Sequence, residues 1–259
     1  MNYMGAKTKF AKEIGGIINK YIADNNIKNF YDIFTGGANL ACTIQCDNVY
    51  ANDLSPTLIA LHRQMQNDSK IIPLHGSRGE WDLCYTEYKR LIKNFPKDFN
   101  IWNQETKIPL WKIGAIEWYN SFLKGGFTRG FCKPAGGRDY YNEAYRNHLT
   151  QSHSDNFKKI NFMCGDYKDI KFESNSLIYA DAPYKDTKPY TINPKFNYEE
   201  YYNWLRETSK YFPIFISEQS MPDDFQVIWQ KNVKRSTNKN SDFKATEKLY
   251  FIDNRKIEN

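Results

Sequence analysis

The sequence predicts an α/β fold built on a mainly parallel sheet, and three observations carry that prediction. Short β-branched and aromatic runs alternate with amphipathic stretches of helical length in both terminal parts of the chain. Glycine or proline marks the passages from strand to helix. Between about residues 73 and 158 the alternation stops, and the chain turns aromatic, glycine-rich and basic. Residues 1–72 and 159–259 are therefore assigned to one sheet domain, with 73–158 as a mainly helical insert.

Taken in order, AKTKFAKEIGGIINKYIADN (6–25) spaces Phe10, Ile14, Ile17 and Tyr21 along one face of a helix. NFYDIF reads as a strand that runs into the glycines of TGGAN, and ANLACTIQ is expected to begin a helix directly after them. VYAND is a second strand and PTLIALHRQM a second helix, opened by proline in its first turn. WDLCYTEYKRLIKNF gives the insert helical character. Strands resume with INFMCGD and SLIYAD, followed by a helix near FNYEEYYNWLRETSKY and the strands PIFISE, FQVIWQ and EKLYFID. A polar loop without an evident helix separates the last two strands, so they are expected to pair antiparallel at the sheet's edge.

Composition narrows the classes. The chain has 259 residues, 41% hydrophobic and 25% charged, which argues against disorder, collagen or coiled coil. Aromatics reach 16%, more flat rings than a core needs, and a charge of +6 favours polyanionic partners. The five cysteines are odd in number and lack zinc spacing, so they read as reduced thiols of a cytoplasmic protein. No metal site is expected, and no apolar run reaches the roughly 20 residues of a membrane span.

Acidic residues stand at the ends of successive strands. Asp32 precedes Phe34, Gly36 and Gly37, a turn whose glycines let a ligand approach the backbone, with a following helix expected to favour a negatively polarised group. Asp53 ends the next strand, where an acid accepts hydrogen bonds from ribose hydroxyls; a helix cap before Pro56 is the competing reading. Asp166 and Tyr167, in CGDYKDI, are placed for an adenine ring of the same ligand, against the simpler reading of an Asx turn. In YADAPY, the Asp181 carboxylate and the Ala182 carbonyl offer two acceptors, Pro183 stiffens the tip and Tyr184 adds a ring face. That set suits a planar base whose exocyclic amine is methylated directly, and no cysteine in the motif supplies a nucleophile.

Together NYMGAKTK, DIFTGGAN, AND, CGDYKDI, YADAPYKDTKPY, FISEQSMPDDF and EKLYFID resemble, in the same order, the D12 class of DNA adenine-N6 methyltransferases, in particular its phage-type, Dam-like members. The resemblance spans nearly the whole chain and is weakest in the insert. It implies a Rossmann-like sheet binding S-adenosylmethionine, with S-adenosylhomocysteine as product, and a helical target-recognition insert. It further implies that Tyr3 and Lys7 belong to the N-terminal cofactor motif, that Asp32, Phe34, Gly36 and Gly37 surround the methionine part, and that Asp53 binds the ribose. Asp166 and Tyr167 would meet the cofactor's adenine, and Asp181 to Tyr184 a flipped target base in double-stranded DNA. A monomer or weak dimer in a bacterial or phage-infected cell is the expected setting. Cytosine N4, RNA or a small molecule are alternative methyl acceptors, and a silent DNA-binding protein of the same fold is an alternative class.

One departure stands out, DAPY where the family usually has DPPY. Alanine for proline frees a backbone torsion at roughly 0.4–1 kcal/mol through unfolded-chain entropy. A slower or looser enzyme is expected. In the insert, Lys124, Arg129, Lys133 and Arg138, interleaved with Phe122, Phe127, Phe131, Tyr140, Tyr141 and Tyr145, are candidates for contacts to phosphates and to the gap left by a flipped base. A solvated loop packed by its own aromatics is the plainer reading. A second basic loop, 231–244, joins the edge strands.

Overall fold

The computed structural model describes residues 10–72, 76–93, 106–121, 125–133, 139–184, 196–234 and 244–255. Helix α1 (Ala11–Asp24) leads into strand β1 (Asn29–Asp32), and β2 (Asn48–Asp53) precedes α2 (Pro56–Asn67). Then come α3 (Arg78–Ile92), α4 (Leu110–Asn120), α5 (Tyr140–Ser152) and the short α6 (Asp155–Lys159). Strands β3 (Asn161–Cys164) and β4 (Ser176–Ala180), helix α7 (Tyr198–Thr208), and strands β5 (Ile214–Glu218), β6 (Gln226–Lys234) and β7 (Lys244–Ile252) complete the order.

One seven-stranded sheet runs β3-β2-β1-β4-β5-β7-β6. The first five are parallel, and β7 enters antiparallel between β5 and β6. This is the Rossmann-like sheet with an antiparallel edge that the sequence predicts. Successive strand residues point to opposite faces, and the core divides accordingly. Phe30, Leu177, Tyr179 and Phe215 join α1, α2, α4 and α5 on one face, while Tyr31, Ile33, Ile178, Ile214 and Ile216 pack on Tyr201 and Leu205 of α7 on the other. The buried stripe of α1 is Ile14, Ile18 and Ile22; Phe10, Ile17 and Tyr21 flank it rather than centre it.

Local chemistry starts the helices where the strands end. Ser55 caps α2 by accepting from Leu58 N, and Pro56 fills its first position. Ser77 and Glu80 form a reciprocal capping box on α3, and Asn197 caps α7. The helix expected over ANLACTIQ does not form. A single 3-10 turn, Ala41–Thr43, stands there, and Ile44 is already extended. The left-handed Ala38, φ 55°, stops a helix from starting at the glycines, and the β-branched Thr43 and Ile44 do not favour extending one. Thr43 instead donates its hydroxyl to the Leu40 carbonyl.

The helices of segment 73–158 share the core of the sheet domain. A Cβ on Gly114 of α4 would lie 2.2 Å from the Thr57 carbonyl oxygen, so α2 and α4 touch backbone to backbone. Among the described residues, no helix is long and apolar enough to cross a membrane.

Candidate active site

The five parallel strands bring their C-terminal ends to one edge of the sheet, and the winding reverses between β1 and β4, the place where open α/β sheets bind ligands. Asp32 ends β1, Asp53 ends β2, Asp166 follows β3 and Asp181 follows β4. Four acids thus come to one rim from positions up to 149 residues apart in sequence.

The turn after β1 is held from both sides. Thr35 N donates to the Asn52 carbonyl at 2.7 Å, and Asn52 Nδ2 donates to the carbonyls of Ile33 and Gly165. Gly36, with φ 48°, donates its N–H to Asp53 Oδ2 at 3.0 Å, and its carbonyl lies 2.8 Å from His62 Nε2. Gln151 Nε2 of α5 donates to the Gly37 carbonyl at 3.0 Å. Because the turn enters no full helix, the helix N-terminus expected to polarise it is replaced by these individual bonds.

Asp53 does not cap α2, since Ser55 does; it accepts instead from Ser55 N and Gly36 N, one on each oxygen. Burial raises its carboxyl to about 6 against the pull of those N–H donors. Asp32 is 2% exposed, and its Oδ2 accepts from the Thr35 hydroxyl while Oδ1 has no hydrogen-bond partner among the described residues. Burial, reinforced by the charge of Asp181, lifts Asp32 to about 8. A buried carboxyl with one oxygen unmatched among the described residues, beside a glycine turn, is the feature that most asks for a cationic donor. Phe34 is half-buried and packs on Tyr167 and Tyr201, with ring centroids 5.2 and 5.9 Å away. Asp166 accepts from Lys168 N in the Asx turn of the plainer reading.

The strand tip after β4 is braced by side chains from elsewhere. Ala182 is buried in the α7 face of the core. The Pro183 carbonyl accepts from Tyr198 Oη at 2.8 Å, and Tyr184 Oη donates to Glu247 Oε1 of β7 at 2.5 Å. The torsion that alanine frees is thus followed by two anchored residues. Burial, with the negative charges of Asp181 and Glu247, holds the Tyr184 phenol protonated.

In segment 73–158, Arg129 is half-buried at the end of a 3-10 turn and Lys133 is exposed. Phe127 packs against Trp81, Tyr85 and Tyr88, and Tyr141 and Tyr145 are equally buried, so these three rings belong to the core and offer no face to a base. Tyr3, Lys7, Phe122, Lys124 and Arg138 lie outside the described residues. Sequence reasoning missed His62, Gln151, Tyr198 and Glu247, because no local motif marks a side chain that reaches the rim from a distant element.

A family model described as D12 class N6 adenine-specific DNA methyltransferase matches residues 3–211. Modification methylase StsI of Streptococcus sanguinis is 27% identical over 194 residues, covering 71% of this chain and 28% of that protein. Type II methyltransferase M.MjaIII of Methanocaldococcus jannaschii is 22% identical over 217 residues, covering 77% and 74%. Type II methyltransferase M.FokI of Planomicrobium okeanokoites is 24% identical over 193 residues, covering 71% and 28%. The matched region thus spans little more than a quarter of StsI and of M.FokI. The chain belongs to the D12 class of N6 adenine-specific DNA methyltransferases.

Proposed function

With D12-class membership as the premise, we propose that this protein transfers the methyl group of S-adenosylmethionine to the N6 amine of adenine in duplex DNA. The observation that carries the reading is the rim itself, where Asp32, the Gly36 turn, Asp53 and Asp181 meet at the switch point of the sheet. The residues present fit the cofactor. The Asp32 Oδ1, without a hydrogen-bond partner among the described residues, suits the ammonium of its methionine part, and the Gly36–Gly37 turn sets no side chain against it. Each Asp53 oxygen, having taken one N–H, keeps a lone pair for a ribose hydroxyl. Phe34 and Tyr167 supply apolar surface for the adenine, with Asp166 at its amine.

S-adenosylmethionine supplies a methyl group activated by its sulfonium. The chain's residues orient the acceptor. The Asp181 carboxylate and the Ala182 carbonyl take the two hydrogens of the amine, which makes its nitrogen lone pair more available and places it for in-line attack. Tyr184, tethered through its hydroxyl to Glu247, stacks on the base. Adenine N6 is paired and stacked inside a duplex, so the base must leave the helix to reach Asp181. Segment 73–158 acts as the target-recognition insert, with Lys124, Arg129, Lys133 and Arg138 on the phosphates.

Incubation with labelled S-adenosylmethionine and mixed genomic DNA, followed by nucleoside analysis, tests the reading. N6-methyladenine is expected from the wild type and is absent with Asp181→Ala. Label on cytosine N4, on RNA alone, or on nothing while the cofactor binds, selects one of the other readings instead.

A further inference from the structure

Behind the glycine turn runs a buried hydrogen-bond chain that methyl transfer itself does not use. Tyr119 Oη of α4 stands 2.6 Å from His148 Nδ1, His148 Nε2 of α5 stands 3.0 Å from His62 Nδ1, and His62 Nε2 of α2 stands 2.8 Å from the Gly36 carbonyl. All three side chains are fully buried.

The chemistry fixes every proton in the chain. A carbonyl only accepts, so His62 Nε2 carries a hydrogen. Burial holds both imidazoles neutral, each with one N–H. His62 Nδ1 is then an acceptor, and His148 Nε2 is its donor. His148 Nδ1 must accept in turn, from the Tyr119 hydroxyl. One tautomer set satisfies all three contacts, and it points in one direction, from the insert to the turn.

At the receiving end, Gly36 holds a left-handed conformation, its N–H taken by Asp53 and its carbonyl by His62. The first bond holds the Thr35–Gly36 peptide and the second the Gly36–Gly37 peptide, so the planes on both sides of Gly36 are fixed. Gln151, one helical turn beyond His148 on α5, bonds the neighbouring Gly37 carbonyl. Two of the three residues that approach these carbonyls, His148 through His62 and Gln151 directly, therefore come from α5 of the insert.

We infer that Tyr119, His148 and His62 are positioning residues that hold the Gly36–Gly37 peptide for the methyl donor, so that the insert sets the affinity of the cofactor turn. This rests on the S-adenosylmethionine reading above. Tyr119→Phe removes one hydroxyl and leaves the ring in place. It is expected to weaken calorimetric S-adenosylmethionine binding about fivefold, the scale of one net hydrogen bond. KM for the cofactor rises in step, and kcat at saturating cofactor stays within about twofold, because uniform binding is what is lost. Nitrogen-15 NMR of the wild type is expected to show the Nε2–H tautomer at both His62 and His148, and Tyr119→Phe to mix the tautomers of His148. Ser152→Ala, which deletes a buried hydroxyl of α5 off the chain, keeps wild-type affinity.

An Nδ1–H tautomer at wild-type His62 overturns the inference. So does unchanged affinity in a folded Tyr119→Phe protein, or an equal loss in Ser152→Ala, which would mean general loosening. Wild type that binds no S-adenosylmethionine overturns this inference and the functional reading together; binding that Tyr119→Phe leaves unaltered overturns this inference alone.

Discussion

The two halves of the rim are held by different means. The turn between Asp32 and Asp53 is fixed through its backbone, with the Gly36 N–H and carbonyl bound by buried groups and Asn52 bridging to Gly165. The tip at Asp181–Tyr184 is fixed through side chains, by Tyr198 on the Pro183 carbonyl and Glu247 on the Tyr184 hydroxyl. Backbone anchoring tolerates no change of peptide orientation, which suits a cofactor of constant shape. Side-chain struts fix a ring and a carbonyl while leaving the rim between them approachable, which suits a base arriving from outside. Substitutions on the two sides should therefore fail in different ways.

The largest separation is expected at Asp181. Asp181→Ala removes the acceptor proposed to orient the amine and should lower kcat by about a thousandfold or more, in the range of losing an electrostatic group at the reacting atom. S-adenosylmethionine affinity should stay within about twofold. Equal losses in both quantities would erase the distinction between the two halves.

Asp32 gives the converse result. Its folded value, about 8, lies above the unfolded 3.8, so the native state keeps a proton that the unfolded chain has lost. Its contribution is most favourable at acid pH and declines as pH rises from about 4 to about 8. Asp32→Asn, which cannot ionise, should therefore be the more stable protein at pH 8, by up to a few kcal/mol on the scale of 1.36 per pH unit. That advantage should vanish near pH 4 in denaturant titrations. Cofactor affinity should fall about tenfold or more in the same variant, the loss of a charged hydrogen bond. In the wild type, a ligand ammonium at Oδ1 favours the carboxylate, so binding near pH 7 should release a proton. Calorimetry in buffers of different ionisation enthalpy reads that release directly. Proton uptake instead would place the cation elsewhere.

Tyr184→Phe probes the struts at smaller cost. It cuts the bond to Glu247, a carboxylate 8% exposed, and frees the ring's orientation. A fall in kcat of about tenfold with unchanged cofactor affinity is expected, near the value of one charged hydrogen bond.

What the sequence reveals follows the same division. The succession of strands along the chain, the antiparallel edge and the acids at the strand ends were legible because each is written in a few consecutive residues. The helix after TGGAN was misread because the pattern of apolar residues there is helical, while the left-handed Ala38 and the β-branched Thr43 and Ile44, whose effect is conformational, overrule it. The rings of segment 73–158 differ from expectation for the opposite reason. Phe127, Tyr141 and Tyr145 look like a stacking surface in sequence, but α3, α4 and α5 close over them. His62 and His148 lie 86 positions apart and share no motif, so only packing brings their rings together. Glu247 likewise reaches Tyr184 across 63 positions.

The smallest expected effect concerns the departure at Ala182. A free tip would gain from the missing proline, since a stiffer chain loses less entropy on ordering the two acceptors. The tip is already braced on its C-terminal side at Pro183 and Tyr184, and Ala182 itself is buried among Ile178, Ala180 and Tyr201. Ala182→Pro should therefore act mainly on the unfolded chain, raising stability by about 0.4–1 kcal/mol where the backbone accepts it, with kcat within about twofold of wild type. The same substitution in a Tyr198→Phe background, where one strut is gone, should recover part of the rate that Tyr198→Phe loses. If Ala182→Pro raises kcat tenfold in the otherwise wild-type chain, the struts do not hold the tip, and alanine is what limits the enzyme. If it helps only when a strut is missing, the bonds from Tyr198 and Glu247 have taken over the stiffness that proline gives elsewhere in the family.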